Sequence, residues 1–226
     1  MKKIFALILA VFMTLVLISC GNTVPGSGTD TESSATKSEG TQNTASSDTS
    51  ETGSSDGTKV LVAYFSRTGE NYGVGMIEKG NTEIIAEMIA LKTGGDLFRI
   101  EPVNAYPAGY DECTKVAREE KDSNARPKLA AEVENINDYD VVYIGYPIWW
   151  SDMPMPVYTF LESYDLSGKT IVPFCTHAGS GLSGTVKSIR TVCPGATVKD
   201  GLAISGTVAQ NDRANAEKQV AAWLGK

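Results

Sequence analysis

Three short segments carry residue types able to hold a small polar ligand. Ser66-Arg67-Thr68-Gly69, followed further on by Asn81-Thr82, sets hydroxyls and a glycine between an apolar run and a helical one. Free backbone N–H groups, hydroxyls and a positive helix end are the donors a phosphate monoester needs without a metal. Glycine lets the main chain approach closely. Ser and Thr in such a turn also serve simply as helix N-caps. The second segment, Tyr146-Pro147-Ile148-Trp149-Trp150-Ser151-Asp152-Met153, holds two adjacent tryptophans. One of such a pair packs inward and leaves the other to cover a flat ring, unless both belong to the core or to a protein contact. In the third, Thr176-His177-Ala178-Gly179-Ser180-Gly181-Leu182, the glycines either bring amides against a ligand or form an ordinary turn. No Walker pattern is present, and Gly73-x-Gly75 lacks the third glycine of a dinucleotide fingerprint.

The elements around these segments alternate. Residues 60–65 (VLVAYF) form a short β-rich apolar run, as expected of a strand buried on both faces. Apolar residues at helical spacing over 82–91 follow, stopped by Gly94-Gly95. Further strands are predicted over 96–101, 141–145, 170–175 and 197–204, and further helices over 110–121, 157–164, 184–192 and 211–224. Five strands alternating with five helices imply right-handed crossovers and a parallel sheet with helices on both faces, a three-layer α/β/α sandwich. Such a sheet binds ligands beyond the carboxyl ends of its strands, where the strand order reverses. The three segments follow the first, third and fourth predicted strands, so all three reach that edge.

The N-terminal residues read as an address. Lys2 and Lys3 precede an apolar run to Ile18, shorter than the roughly 20 residues of a spanning helix. The run ends in Leu17-Ile18-Ser19-Cys20, which is similar to the lipobox of bacterial lipoproteins. That similarity implies a signal peptide over 1–20, lipidation of Cys20 and an extracytoplasmic, lipid-anchored location, with the membrane met through the anchor only. An uncleaved anchor helix or a secreted protein with an incidental cysteine are the alternatives. Residues 21–58 are rich in Ser, Thr, Gly, Asp and Glu without an aromatic residue, and cannot bury enough apolar surface to offset chain entropy. A disordered linker of that length reaches roughly 35 Å. Residues 59–226 are one domain's worth of sequence.

Net charge is −7, with 20 Lys+Arg against 27 Asp+Glu, and no basic cluster occurs, which argues against a nucleic-acid partner. Cys113, Cys175 and Cys193 lack a Cys-x-x-Cys pattern and the chain has one histidine, so no metal site is expected. One disulfide among the three remains open, as does the oligomeric state.

Over 60–224 the chain resembles the flavodoxin-like proteins, closest to a subgroup of bacterial lipoprotein and secreted flavodoxins. The resemblance rests on YFSRTGENY, EKGNTEIIAEMIA, NARP, GYPIWW, MPMPVYTFLE, PFCTHAGSGLSG and CPGATV. It implies a five-stranded sheet of order 2-1-3-4-5 and noncovalent FMN, met by the loops after strands one, three and four. By matching motifs, Ser66, Thr68, Gly69, Asn81 and Thr82 would hold the phosphate, and Arg67 of the same turn would be cofactor-binding. Pro147, Ile148, Trp149 and Trp150 would line one flank of the ring, and Thr176, His177, Gly179, Ser180 and Gly181 the other. The chain departs from ordinary flavodoxins by inserting 70–80 between the Thr-Gly turn and the Asn-Thr helix start, an excursion expected over the site with Tyr72 as a wall. His177 either donates a proton to a reduced flavin or a bound quinone, or hydrogen-bonds its own loop. Electron transfer to a redox partner protein and reduction of a small acceptor such as a quinone are the two functions to separate. An extracytoplasmic location with little NAD(P)H favours the carrier.

Overall fold

The computed structural model describes residues 57–225, so Cys20 and nearly all of 21–58 lie outside the described residues. In chain order the elements are β1 (Val60–Tyr64), a hairpin of β2 (Gly69–Asn71) and β3 (Gly75–Ile77), α1 (Asn81–Thr93), β4 (Asp96–Arg99), α2 (Tyr110–Asp122), β5 (Val141–Pro147), α3 (Met155–Glu162), β6 (Thr170–His177), α4 (Thr185–Val192), β7 (Thr197–Val198), β8 (Leu202–Ser205), α5 (Gly206–Asn211) and α6 (Arg213–Leu224).

The central sheet is parallel and runs β4-β1-β5-β6, with β7 and β8 both pairing β6 along its far side. This is the expected order 2-1-3-4-5, with the fifth strand split in two. The split has a local cause. Ile171 pairs Val198 and Phe174 pairs Leu202, so two residues of β6 face three of the fifth strand. One of those two is Pro173, whose carbonyl faces Gly201 and whose ring nitrogen has no proton to donate, and a proline inside a sheet is accommodated at such a bulge.

Alternate residues of the central strands feed opposite faces. Leu61, Ala63, Val142, Ile144 and Tyr146 pack under α3 and α4 with Val157, Phe160 and Ile189. Val62 and Tyr64 pack under α1 and α6 with Ile84, Ile85, Ile89, Ala216 and Val220. Helix α1 begins at Gly80 and ends on Gly94 in the left-handed region at φ 67°, with Glu83 in its first turn and Lys92 in its last, in the sense its dipole favours. The single C-terminal helix expected over 211–224 is two helices. Asp212 stands between them in a non-helical conformation, and its carboxylate accepts the Asn215 N–H as the cap of α6.

Gly145 lies against the ring of Phe174, which any side chain there would meet. Close approach of this kind, not turn chemistry, explains a glycine in mid-strand. Among the described residues no helix is long and apolar enough to cross a membrane.

Candidate functional site

The chain leaves β1 for β4 on one side and returns to β5 on the other, so the strand order reverses between β1 and β5. A cavity of about 820 Å³ opens at the carboxyl ends of these strands. All three loops singled out in the sequence reach it, through Arg67 and Asn81, through Pro147, Ile148, Trp149 and Trp150, and through Thr176, His177 and Gly179. Ser66, Thr68, Gly69, Thr82, Ser180 and Gly181 do not line it. Ser66, Gly69 and Thr82 shape what surrounds the cavity.

Ser66 is buried, and its Oγ accepts the Glu83 N–H of α1 at 3.1 Å. It therefore joins the turn after β1 to the start of the helix. Gly80 makes this closeness possible: a Cβ there would stand 2.1 Å from Ser66 Oγ and 2.7 Å from the Arg67 carbonyl oxygen. Thr82 is equally buried, its hydroxyl 2.8 Å from that of Thr176, which joins α1 to β6 beneath the cavity floor. The amides of Asn81 and Thr82 lead the helix, where N–H groups have no intrahelical acceptor. Asn81 Oδ1 is buried without a hydrogen-bond partner among the described residues. An orphaned buried acceptor in a cavity wall calls for a donor, which a bound ligand or a water supplies. The Asn81 amide also abuts Gly206, where a Cβ would come within 2.6 Å of its Nδ2.

The excursion over 70–80 is the β2–β3 hairpin, closed by Asn71↔Gly75. Arg67 anchors it. Its guanidinium donates to the carbonyls of Pro107, Ala108, Gly109 and Glu70, so most of its N–H groups are held by the backbone. Gly69 adopts φ 85° with the Ala108 carbonyl oxygen 2.6 Å from where its Cβ would stand, and Glu70 N–H donates to that same carbonyl. At its tip Gly73 reaches Thr207, on the far side of the cavity. Tyr72 is 68% exposed, its ring 6.0 Å from that of Tyr110.

The two tryptophans divide as one inward and one outward. Trp149 packs edge-on against Phe65 at 5.3 Å and Tyr106 at 5.0 Å. The Tyr106 hydroxyl donates to Glu120, whose carboxyl burial pushes above the usual carboxylate range. Trp150 is 46% exposed, donates from Nε1 to the Thr114 carbonyl at 3.0 Å, and lies under the Arg118 guanidinium. Trp149 and Asp152 exchange both backbone hydrogen bonds around Trp150 and Ser151, which have φ 50° and 62°. Two positive values at the centre of a two-residue turn make a type I′ hairpin, which ordinarily takes Asn-Gly. Ser151→Gly removes one left-handed side chain from an exposed position and is expected to stabilise the fold by about 0.5–1 kcal/mol in urea unfolding.

In the third loop Gly179 N–H donates to His177 Nδ1 at 2.9 Å, which leaves the imidazole proton on Nε2. Of the two roles open to His177, the loop hydrogen bond is present, and its ring also lines the cavity. Burial holds the imidazole below its ordinary value of 6.5. Below that value the unfolded chain binds the proton more readily than the folded one. The associated stability is intact above 6.5 and is lost as pH falls through and below it. In His177→Gln the loss of stability between about pH 7.5 and pH 5.5, read by denaturant midpoints, is expected to shrink. Ser180 and Gly181 turn away into the approach to α4, where Gly181 accepts from the Cys175 thiol.

Several wall residues carried no signal in the sequence. Tyr110, Cys113, Thr114 and Ala117 follow helical spacing along one face of α2 and read there as ordinary core positions. Ser205-Gly206-Thr207 repeats the small-hydroxyl signature of the first loop at the end of the fifth strand, the one legible hint. Cys113, Cys175 and Cys193 are free and buried, and burial pushes the Cys175 thiol up to about 12. Among the described residues no cluster of metal-ligating side chains forms.

The Flavodoxin family model matches residues 59–223. A protein of Bacteroides eggerthii assigned as a flavoprotein is 35% identical, with 74% of this chain and 96% of that one covered and a TM-score of 0.58. A second such protein, from Bacteroides uniformis, is 31% identical over 75% of this chain and 99% of that one, also at 0.58. A flavoprotein from Lactobacillus acidophilus, solved in complex with FMN, shares the fold at 21% identity and a TM-score of 0.52, with 70% of this chain and 99% of that one covered. No curated protein matches the chain. With nearly all of the folded region matched and the cavity at the expected switch point, the chain belongs to the flavodoxin family.

Proposed function

We propose that the chain binds FMN noncovalently and works as an electron carrier, tethered by a lipid on Cys20 to the outer side of a bacterial membrane. The observation that carries the cofactor reading is the meeting of three sequence-distant loops at one cavity that contains an orphaned acceptor, Asn81 Oδ1. The residues fit the group. The helix-leading amides of Asn81 and Thr82, with the turn at 66–69 held close over Gly80, supply donors for a phosphate monoester. Asn81 Oδ1 accepts from a polyol hydroxyl, Pro147 to Trp149 flank a planar ring, and the loop His177 to Gly179 borders its polar edge. Trp149, held edge-on by Phe65 and Tyr106, keeps water from that flank. Bound FMN supplies a centre able to take one or two electrons.

The tether rests on the lipobox-like segment and the linker composition. A carrier on a flexible lead suits transient docking with a redox partner protein where NAD(P)H is scarce. Reduction of a small acceptor is the second reading, favoured by the aromatic wall that Tyr72, Tyr110 and Trp150 add to the cavity.

The test is colour and fractionation. The full chain, extracted from membranes, is expected to be yellow and to regain its absorbance from added FMN after stripping. Cys20→Ala is expected to move it to the soluble fraction. A colourless protein indifferent to FMN overturns the cofactor reading, and an unchanged membrane fraction in Cys20→Ala overturns the lipid anchor. Turnover with a quinone and an external reductant, faster than transfer to protein acceptors, would decide for the reductase.

A further inference from the structure

The cavity has two unlike halves. One is polar, formed by Asn81, Thr176, His177 and the Ser205–Thr207 turn. The other is formed by Tyr72 of the hairpin and by Tyr110, Cys113, Thr114 and Ala117 along one face of α2, with Trp150 at its edge. We propose that this second half is a ligand site of its own, which takes an uncharged planar aromatic molecule of the quinone class beside the cofactor. The proposal rests on the FMN reading above and gives the acceptor a place and a chemistry.

Four observations carry it. At about 820 Å³ the cavity lies toward the upper end of the range of roughly 300–1,000 Å³ for single-ligand clefts, leaving room beyond a mononucleotide. Tyr72 and Tyr110 stand 6.0 Å apart at a 40° tilt, and together present a broad aromatic surface of which Tyr72 is 68% exposed. Flat rings gain from such offset contacts beyond area alone. Neither tyrosine hydroxyl has a partner among the described residues, so two O–H donors are available to carbonyl oxygens.

The fourth observation is that, among the described residues, the one charged side chain lining this half is already engaged. Arg67 lines this half, but its guanidinium is taken up by four backbone carbonyls. Arg118 lies over Trp150, and burial raises the Cys113 thiol, which stays protonated. An anionic ligand would have to break the Arg67 hydrogen bonds to pair with its guanidinium, and the chain's net charge of −7 opposes it further. The hairpin that brings Tyr72 is the insertion over 70–80, so the insertion adds one aromatic wall to this half of the cavity.

The experiment loads the protein with FMN, leaves it oxidised with no reductant, and titrates it with 1,4-naphthoquinone in a calorimeter. Saturable binding is expected, and binding about tenfold weaker in Tyr72→Ala, whose exposed ring carries no fold contact of consequence. Tyr110→Phe keeps the ring and loses one donor, for an expected weakening of about fivefold. FMN affinity, measured on the same samples, is expected to change by less than about threefold. Naphthoquinone sulfonate tests charge and cyclohexane-1,4-dione tests aromaticity, and both are expected to bind far more weakly. Absent or non-saturable naphthoquinone binding overturns the proposal, as does equal binding by Tyr72→Ala or by the non-aromatic diketone. If FMN itself does not bind, the cofactor reading falls and this site falls with it. If FMN binds and naphthoquinone does not, only this proposal falls.

Discussion

Gly80→Ala lowers the affinity for FMN by about 100-fold or more, the largest functional effect expected of any single methyl group in this chain. Gly80 has φ −69° and ψ 151°, which any residue adopts, so its conformation is not the reason. Space is. The new Cβ would stand 2.1 Å from Ser66 Oγ, 2.7 Å from the Arg67 carbonyl oxygen and 3.0 Å from the Arg67 nitrogen. The hydroxyl of Ser66 could rotate only by leaving the Glu83 N–H, and the Arg67 backbone has no rotamer to change. The turn must therefore lift away from α1, taking its donors out of reach of a phosphate. Hydrogen bonds to a charged group contribute about 1.5–3 kcal/mol each, so two lost bonds account for the predicted change. Quenching of free FMN fluorescence measures it. Gly184→Ala is the control, since Gly184 is also an N-cap glycine and a Cβ there meets nothing within 4 Å. Both variants lose cap stability of about 1 kcal/mol, while only Gly80→Ala loses the ligand. Equal FMN affinity in the two variants would remove the 66–69 turn from the phosphate site.

Trp149→Ala is expected to cost about 3 kcal/mol of stability, lowering Tm by roughly 6–12 °C, and to weaken FMN binding about tenfold. The ring is one of three that meet edge to face, with Phe65–Tyr106 at 5.7 Å completing the set. Its removal leaves a cavity between two rings and opens a flank of the site to water. Trp150→Ala, half-exposed on a left-handed turn, is expected to cost about 1 kcal/mol or less, because the Thr114 hydrogen bond and the Arg118 contact are solvent-exposed. Thermal unfolding of the two variants side by side decides the matter. A larger loss in Trp150→Ala would reverse the inward and outward roles.

The hairpin, Arg67 and Tyr106 have a common consequence for the site. Arg67 and Gly69 fix the hairpin to the 107–109 turn, and that turn begins α2, whose Glu120 holds Tyr106 against Trp149. The walls on either side of the cavity are thus tied through one helix. Arg67, expected among the cofactor-binding residues, lines the cavity while most of its donors meet carbonyls forty residues away.

Local chemistry in the sequence was enough for the alternation of elements, the parallel sheet and the three loops at one edge, while the strand order came with the resemblance to flavodoxin-like proteins. Buried parallel strands are continuous apolar runs, and crossover handedness leaves few topologies open. It was also enough to find Asn81, Pro147 to Trp150 and the glycine loop, because hydroxyls, glycines and paired tryptophans between elements are unusual wherever they occur. What only the tertiary structure decided is how each of those residues is used. Ser66, Thr82 and Thr176 turned inward to join elements, because a buried hydroxyl must find a partner and the nearest ones lay across the sheet. The α2 face and the Ser205–Thr207 turn became walls, and the expected wall at Tyr72 met Tyr110, through contacts between residues far apart in the chain. Such contacts leave no periodic trace in the residues that make them, and they define the site's aromatic half.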